Sequence, residues 1–115
     1  MQKDAYSGIR LSVIQLIDSK KENLKENNIK LTIIKNEKDG YVVELDNEAC
    51  MAEIVVEEPT YAPYRYVSFE VVSLIDGKVK IIYSWYDDET SQWNDIEKEL
   101  NKGIHFLNDF KPMEQ

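Results

Sequence analysis

The chain has 115 residues, 43% of them apolar, and its 22 acidic against 14 basic residues leave a formal charge of −8. That length suits a single domain over residues 1–115, able to bury roughly two thirds of its unfolded surface without metals or disulfides, and the apolar share excludes a disordered chain. The acidic balance works against direct nucleic-acid binding, which draws its affinity from Lys and Arg on phosphates, and against docking on anionic membranes.

One cysteine, Cys50, excludes an internal disulfide and suits a reducing compartment. The segment from Met1 to Gly8 lacks the apolar core of a signal peptide, and no apolar run approaches the roughly 20 residues a bilayer requires. The expected location is the cytoplasm.

From about Asp4 to Asn27 the spacing predicts a helix. Tyr6, Ile9, Val13, Leu16, Ile17 and Leu24 share one face, Asp4 or Ser7 is placed to cap the start, and Asn27-Asn28 ends it. Strands follow. Ile29, Leu31 and Ile33 alternate inward, and Asn36 to Gly40 turns the chain. Tyr41, Val43 and Leu45 form the inward side of the second strand, and Asp46-Asn47-Glu48 turns again. The third strand puts Cys50, Ala52, Ile54 and Val56 on one face and Met51, Glu53, Val55 and Glu57 on the other.

Pro59 and Pro63 bracket Tyr61 in a rigid connection that a central strand does not tolerate. Two strands, about Tyr64 to Leu74 and Lys78 to Tyr86, then join around Asp76-Gly77. A two-residue turn there would pair Val72 with Ile81 and leave both faces mixed. A three-residue loop with a bulge at Gly77 pairs Val67 with Trp85, Phe69 with Tyr83 and Val71 with Ile81, which makes one face uniformly apolar. That register is the expected one. It sets Tyr66 opposite Tyr86 on the outer face, beside Asp87, Asp88 and Glu89.

The last helix is expected to begin at Thr90 or Ser91 as its cap and to run to Phe110, with Trp93, Ile96, Leu100, Ile104, Leu107 and Phe110 toward the core. The fold class is therefore α+β: an antiparallel meander of about five strands, with the N- and C-terminal helices packed on one face.

Chemistry is sparse. His105 is the only histidine, and it stands off the apolar stripe with no nucleophile at motif spacing. A lone histidine cannot build a zinc site without further ligands. Cys50 points inward between Glu48 and Glu53, a setting for a small hydrophobe rather than a thiolate. Asp87-Asp88-Glu89 lacks the ligand spacing and glycine of a calcium loop, and the four glycines lie too far apart to cradle a phosphate. No catalytic, cofactor or metal site is expected, and the chain reads as a non-enzyme.

Tyr83 to Asp95 holds both tryptophans and a block of carboxylates. Large amphipathic rings beside negative charge suit the capture of a basic protein. With Tyr83, Trp85 and Trp93 assigned to the core, the expected contact residues are Tyr66, Glu70, Tyr86, Asp87, Asp88 and Glu89, followed by Glu57, Glu58 and Tyr61. The simpler reading of the charge is solubility.

The run Asn28-Ile29-Lys30-Leu31-Thr32-Ile33, the Met51 to Glu57 strand, the Phe69-Glu70-Val71-Val72 to Asp76-Gly77 hairpin and the closing amphipathic helix together resemble the immunity proteins of bacterial contact-dependent inhibition and other polymorphic toxin systems. Within that group the chain is most similar to the TriTu type, over Ile9 to Phe110. The resemblance implies a stoichiometric inhibitor of a cognate toxin C-terminal domain, a basic nuclease acting on tRNA, with elongation factor Tu brought in through the toxin. It carries over no catalytic residue. Two other readings stand beside it: a homodimeric regulatory or structural module joined through the sheet face or an edge strand, and a small-ligand-binding domain with its pocket between sheet and helices.

Overall fold

The computed structural model describes residues 2–57, 66–73, 78–88 and 90–109, with side chains from 6 to 107 within those stretches. Helix α1 spans Gln2–Glu26. Five strands follow: β1 (Lys30–Glu37), β2 (Gly40–Asp46), β3 (Cys50–Glu57), β4 (Val67–Ser73) and β5 (Lys80–Tyr86). Helix α2, Trp93–Asp109, closes the described chain. The strands form one antiparallel sheet in the order β1-β2-β3-β4-β5, so the expected α+β meander is the observed fold.

Period-two alternation explains why the sheet has one dry face. Tyr41, Val43 and Leu45 of β2, Cys50, Ala52, Ile54 and Val56 of β3, and Val67, Phe69 and Val71 of β4 are all buried and form one cluster. Both helices lie on that face. Tyr6, Val13, Ile17 and Leu24 of α1 and Ile96, Leu100, Ile104 and Leu107 of α2 complete the cluster. The first strand is less covered than its alternation predicts. Ile29 is buried and Leu31 half-buried, but Ile33 at the sheet edge is 46% exposed.

The helix ends differ from the expected caps. Helix α1 begins at Gln2, which puts Asp4 and Ser7 inside it rather than at its cap. Its other end follows the expected Asn27-Asn28 stop. Asn28 takes a left-handed φ of 61°, its N–H bonds Lys25 O at 3.0 Å, and the Ile29 N–H returns to Leu24 O at 2.9 Å. This Schellman arrangement satisfies the last carbonyls and folds buried Ile29 back onto buried Leu24. At α2, neither Thr90 nor Ser91 caps the helix. Both side chains turn back to the Asp88 carboxylate, and the helix starts at Trp93 with the Asp95 carboxylate accepting the Gln92 N–H at 2.9 Å. Phe110 lies outside the described residues.

The β4–β5 register corrects the expected one. Phe69 pairs with Trp85 and Val71 with Tyr83, a shift of two residues that keeps these four side chains on the core face. Val72 then pairs with Ile81, so Ile82 is the extra, bulged residue. The displaced Ile81 faces outward and is 58% exposed, not inward as expected, while Ile82 packs against the core. The expected bulge residue, Gly77, lies outside the described residues.

Helix α2 approaches β4 at a glycine. A Cβ on Gly103 would lie 2.2 Å from Phe69 Cε2 and 2.5 Å from Cζ, so any side chain there meets the ring. Phe69 is fixed in turn by the Tyr83 ring, edge-on at a centroid distance of 5.6 Å, and the Tyr83 hydroxyl donates to Glu99 Oε1 at 2.8 Å. Burial, reinforced by Glu99, pushes the Tyr83 phenol well above its ordinary range. In an open helix Gly→Ala stabilises by about 1 kcal/mol, whereas overpacking costs about 1–3 kcal/mol. Gly103→Ala is therefore expected to lower stability in urea denaturation. Phe69→Leu in the same chain should reduce that penalty, and additive effects of the two changes would show that the contact is not the cause.

Candidate functional site

The second face of the sheet follows from the first. Since Val43, Leu45, Ala52, Ile54, Phe69 and Val71 are inward, Glu44, Glu53 and Glu70 point the other way. Register then aligns them: Glu44 pairs with Glu53, and Glu53 pairs with Glu70. Three carboxylates stand in one row across adjacent strands, with Ser84 next to Glu70 at the β5 edge. Like charges directly opposite are unfavourable, and no lysine or arginine among the described residues forms an ion pair with any of the three.

Apolar rows flank the acids. Met51 pairs with Val72 and Val72 with Ile81 on one side, and Val42 pairs with Val55 on the other, where Ser68 pairs with Tyr86. Glu44, Met51, Glu53, Glu70 and Val72 line a shallow open depression of about 150 Å³. Partial loss of hydration pushes the Glu53 carboxyl above its ordinary value of 4.5, and the charges of Glu44, Glu70 and Glu57 push it further. The Tyr86 hydroxyl donates to Glu70 Oε2, and its ring stays 46% exposed at the end of the row.

Of the contact residues expected from the sequence, Glu70 and Tyr86 belong to this face, and Glu57 stands at its margin opposite Gly40. Tyr66 does not. It is 6% exposed and packs on Tyr6 of α1, on the core side, at a centroid distance of 5.8 Å. Asp87 does not either, being only 2% exposed. One carboxylate oxygen accepts the Tyr66 and Val67 N–H groups at 2.7 and 2.8 Å, fastening the start of β4 to the end of β5. Asp88 is exposed but serves a local turn, accepting the Thr90 N–H at 2.8 Å and the Thr90 hydroxyl at 2.6 Å; these bonds hold its carboxyl below the ordinary range. Glu58, Tyr61 and Glu89 lie outside the described residues.

Glu44 and Glu53 were missing from the expected contact set. The signal for Glu44 and Glu53 was present in the hairpin arithmetic across Asn47 to Ala49. The Asn47 side chain accepts the Ala49 and Cys50 N–H groups at 3.0 and 2.8 Å, and this turn pairs Asp46 with Met51, which fixes Glu44 against Glu53. No comparable signal reached Glu70, which follows the long proline-containing connection.

The remaining reactive groups are structural by position. Cys50 is fully buried, and burial pushes its thiol up, away from the thiolate. Tyr41, also buried, has its phenol pushed up to about 12 by burial and the nearby Asp18 charge. His105 is exposed on α2. Among the described residues no cluster of three or more ligating side chains is placed to hold a metal ion, and no helix is long and apolar enough to cross a membrane.

Two outcomes test this division between structural and surface acids. Asp87→Ala removes a charged acceptor from two buried N–H groups and should cost about 3 kcal/mol in urea denaturation, with Asp87→Asn recovering part; a loss under ~0.5 kcal/mol would remove Asp87 from its structural role. Glu53 has the opposite sign. Its folded carboxyl titrates above its unfolded one, so its contribution to stability is present below the ordinary value of 4.5 and is lost as pH rises through the raised value. Glu53→Gln should therefore stabilise by about 0.5–1 kcal/mol at pH ~7 and by nothing below pH ~4, and a destabilised variant at neutral pH would contradict the repulsive row. Comparison with known proteins finds no match to this chain among family models, curated proteins or solved structures.

Proposed function

We propose that this protein is a non-enzymatic inhibitor that captures a basic protein partner on the open face of its sheet. The observation that carries the reading is the row Glu44–Glu53–Glu70, which forms no ion pair among the described residues, is held in register by a core beneath it, and stands half-buried to exposed between apolar rows. A sheet face that neither described helix covers, with carboxylates at its centre and Met51, Val72, Ile81, Val42, Val55 and Tyr86 around them, offers charge for steering and apolar area for affinity. A cationic partner also relieves the repulsion stored in the row. A homodimer through this face would set the rows of two copies against each other and add to it.

An immunity protein of the TriTu type, acting in the cytoplasm on the C-terminal domain of a cognate toxin, is the fuller form of this reading. Its support is the acidic face together with the sequence resemblance. A basic nuclease meets in such a surface the negative charge that it otherwise finds on RNA, and elongation factor Tu enters through the toxin. With Tyr66 and Asp87 buried, the proposed contact is the middle of the sheet rather than the Asp87–Glu89 corner. Glu44, Glu53, Glu70 and Tyr86 carry it, with Glu57 at the rim.

Co-expression with a candidate cognate toxin C-terminal domain is the direct test. Growth should be rescued, and the two proteins should co-elute as a one-to-one complex. The triple reversal Glu44→Lys, Glu53→Lys and Glu70→Lys should abolish rescue while the chain stays folded, and at low salt should slow association by about tenfold or more. Reversal of Asp88 should change the on-rate far less. Persistent growth arrest beside abundant soluble wild-type protein, or full rescue by the triple variant, would end this reading.

A further inference from the structure

The glutamate row has a direction and a length, and these select the shape of what binds it. In an antiparallel sheet directly opposed residues alternate between Cα separations of about 4.5 and 5.5 Å, so Glu44 to Glu70 through Glu53 spans about 10 Å across the strands. A partner strand laid along the row presents one face every ~6.6–6.8 Å, and three of its side chains span about 13 Å, overshooting by a third. A partner α-helix presents side chains at i, i+3 or i+4, and i+7, which span about 10.5 Å. The helix matches all three acids; the strand matches two at most.

The flanks agree with a helix. The apolar rows of Met51–Val72–Ile81 and Val42–Val55 lie two residues along the strands on either side of the acids, about 7 Å away. That corridor, roughly 14 Å between its apolar edges, accepts a helix about 10–12 Å in diameter. Met51 and Val72 also line the central depression beside the carboxylates, where the aliphatic stem of a Lys or Arg would lie while its head meets the acids.

Resting on the reading that this face binds a basic protein, we propose that the segment it receives is an α-helix lying across the strands, with Lys or Arg at i, i+4 and i+7 set on Glu44, Glu53 and Glu70. The partner's recognition element is then amphipathic in an unusual sense: a basic stripe bordered on both sides by aliphatic residues. Register between the two proteins is set by charge, and contact area is supplied by the borders.

The experiment uses the full chain and three synthetic peptides of about 18 residues with identical composition and charge. One orders Lys at helical spacing with Leu and Ala borders. A second alternates Lys and apolar residues at strand spacing, and a third keeps the helical order but carries its Gly-Pro pair in the centre rather than at the end. Binding by titration calorimetry at about 50 mM salt should be at least tenfold tighter for the first peptide, which should gain helical circular dichroism on binding. Glu53→Gln should weaken it severalfold, and Glu44→Gln with Glu70→Gln further still. Glu22→Gln with Glu26→Gln on α1, an equal loss of charge, should leave it unchanged. Equal binding of all three peptides, still dependent on Glu53, would overturn the helix while leaving the basic-partner reading intact. Absence of binding by any of them, or equal weakening by the α1 control, would overturn both.

Discussion

Everything on the outer face is a consequence of which side chains the sheet buries. Val43, Leu45, Ala52, Ile54, Val56, Phe69 and Val71 must all reach the helices, and strand alternation leaves no freedom once they do. Slipping a strand by one residue would drop its apolar set into water and lift carboxylates into the core. Burying those side chains gains about 1.5–3 kcal/mol for each Val, Leu, Ile or Phe, against at most about 1 kcal/mol for a repulsive pair on the surface. The core therefore wins, and the glutamates are aligned because the hydrophobic register aligns them. Repulsion in the row is tolerated by the fold rather than relieved by it.

Faces were legible in the sequence, and partners were not. Parity alone assigned Phe69, Val71, Tyr83 and Trp85 to the core side correctly, because any shift by two preserves it. For the same reason parity could not separate the expected pairing from the observed one. The deciding feature was the position of the bulge. With two adjacent isoleucines at Ile81 and Ile82, either could be the extra residue, and only packing against the assembled core selects Ile82. Asp87 failed for a different reason. An aspartate reads as surface on its chemistry, yet here two backbone donors at the start of β4 needed an acceptor, and a charged one supplies strong bonds to both.

That burial of Asp87 changes what the aromatic–acidic stretch is for. Tyr83 and Trp85 pack against the core, Asp87 ties two strands, and Asp88 with Thr90 and Ser91 shapes the turn into α2. The result is a rigid corner that sets the helix over Phe69, where Gly103 allows the close approach. Most of the stretch is scaffold. Among the described residues of the stretch, Ser84 and Tyr86 reach the open face, where Tyr86 is bonded to Glu70 and so joined to the end of the acidic row. Apart from Tyr86, the described rings of the stretch that first draw the eye belong to the scaffold beneath the open face.

On the proposed reading, this surface serves association rather than its own stability. Exposed acids on most proteins are partly neutralised by nearby lysines, and a partner must break those pairs before it gains new ones. Glu44, Glu53 and Glu70 have no such pairs among the described residues, so a cation arriving at the row breaks no ion pair there and meets the Tyr86 hydroxyl only at Glu70. Glu53 has already lost part of its hydration in the free protein, which lowers the desolvation still to be met on binding. Each partner charge then gains an attraction and removes a repulsion at once. On the proposed reading the same arrangement makes the face selective: an uncharged or acidic helix of equal shape would leave three carboxylates crowded together and newly shut off from water, a penalty that contact area alone does not offset.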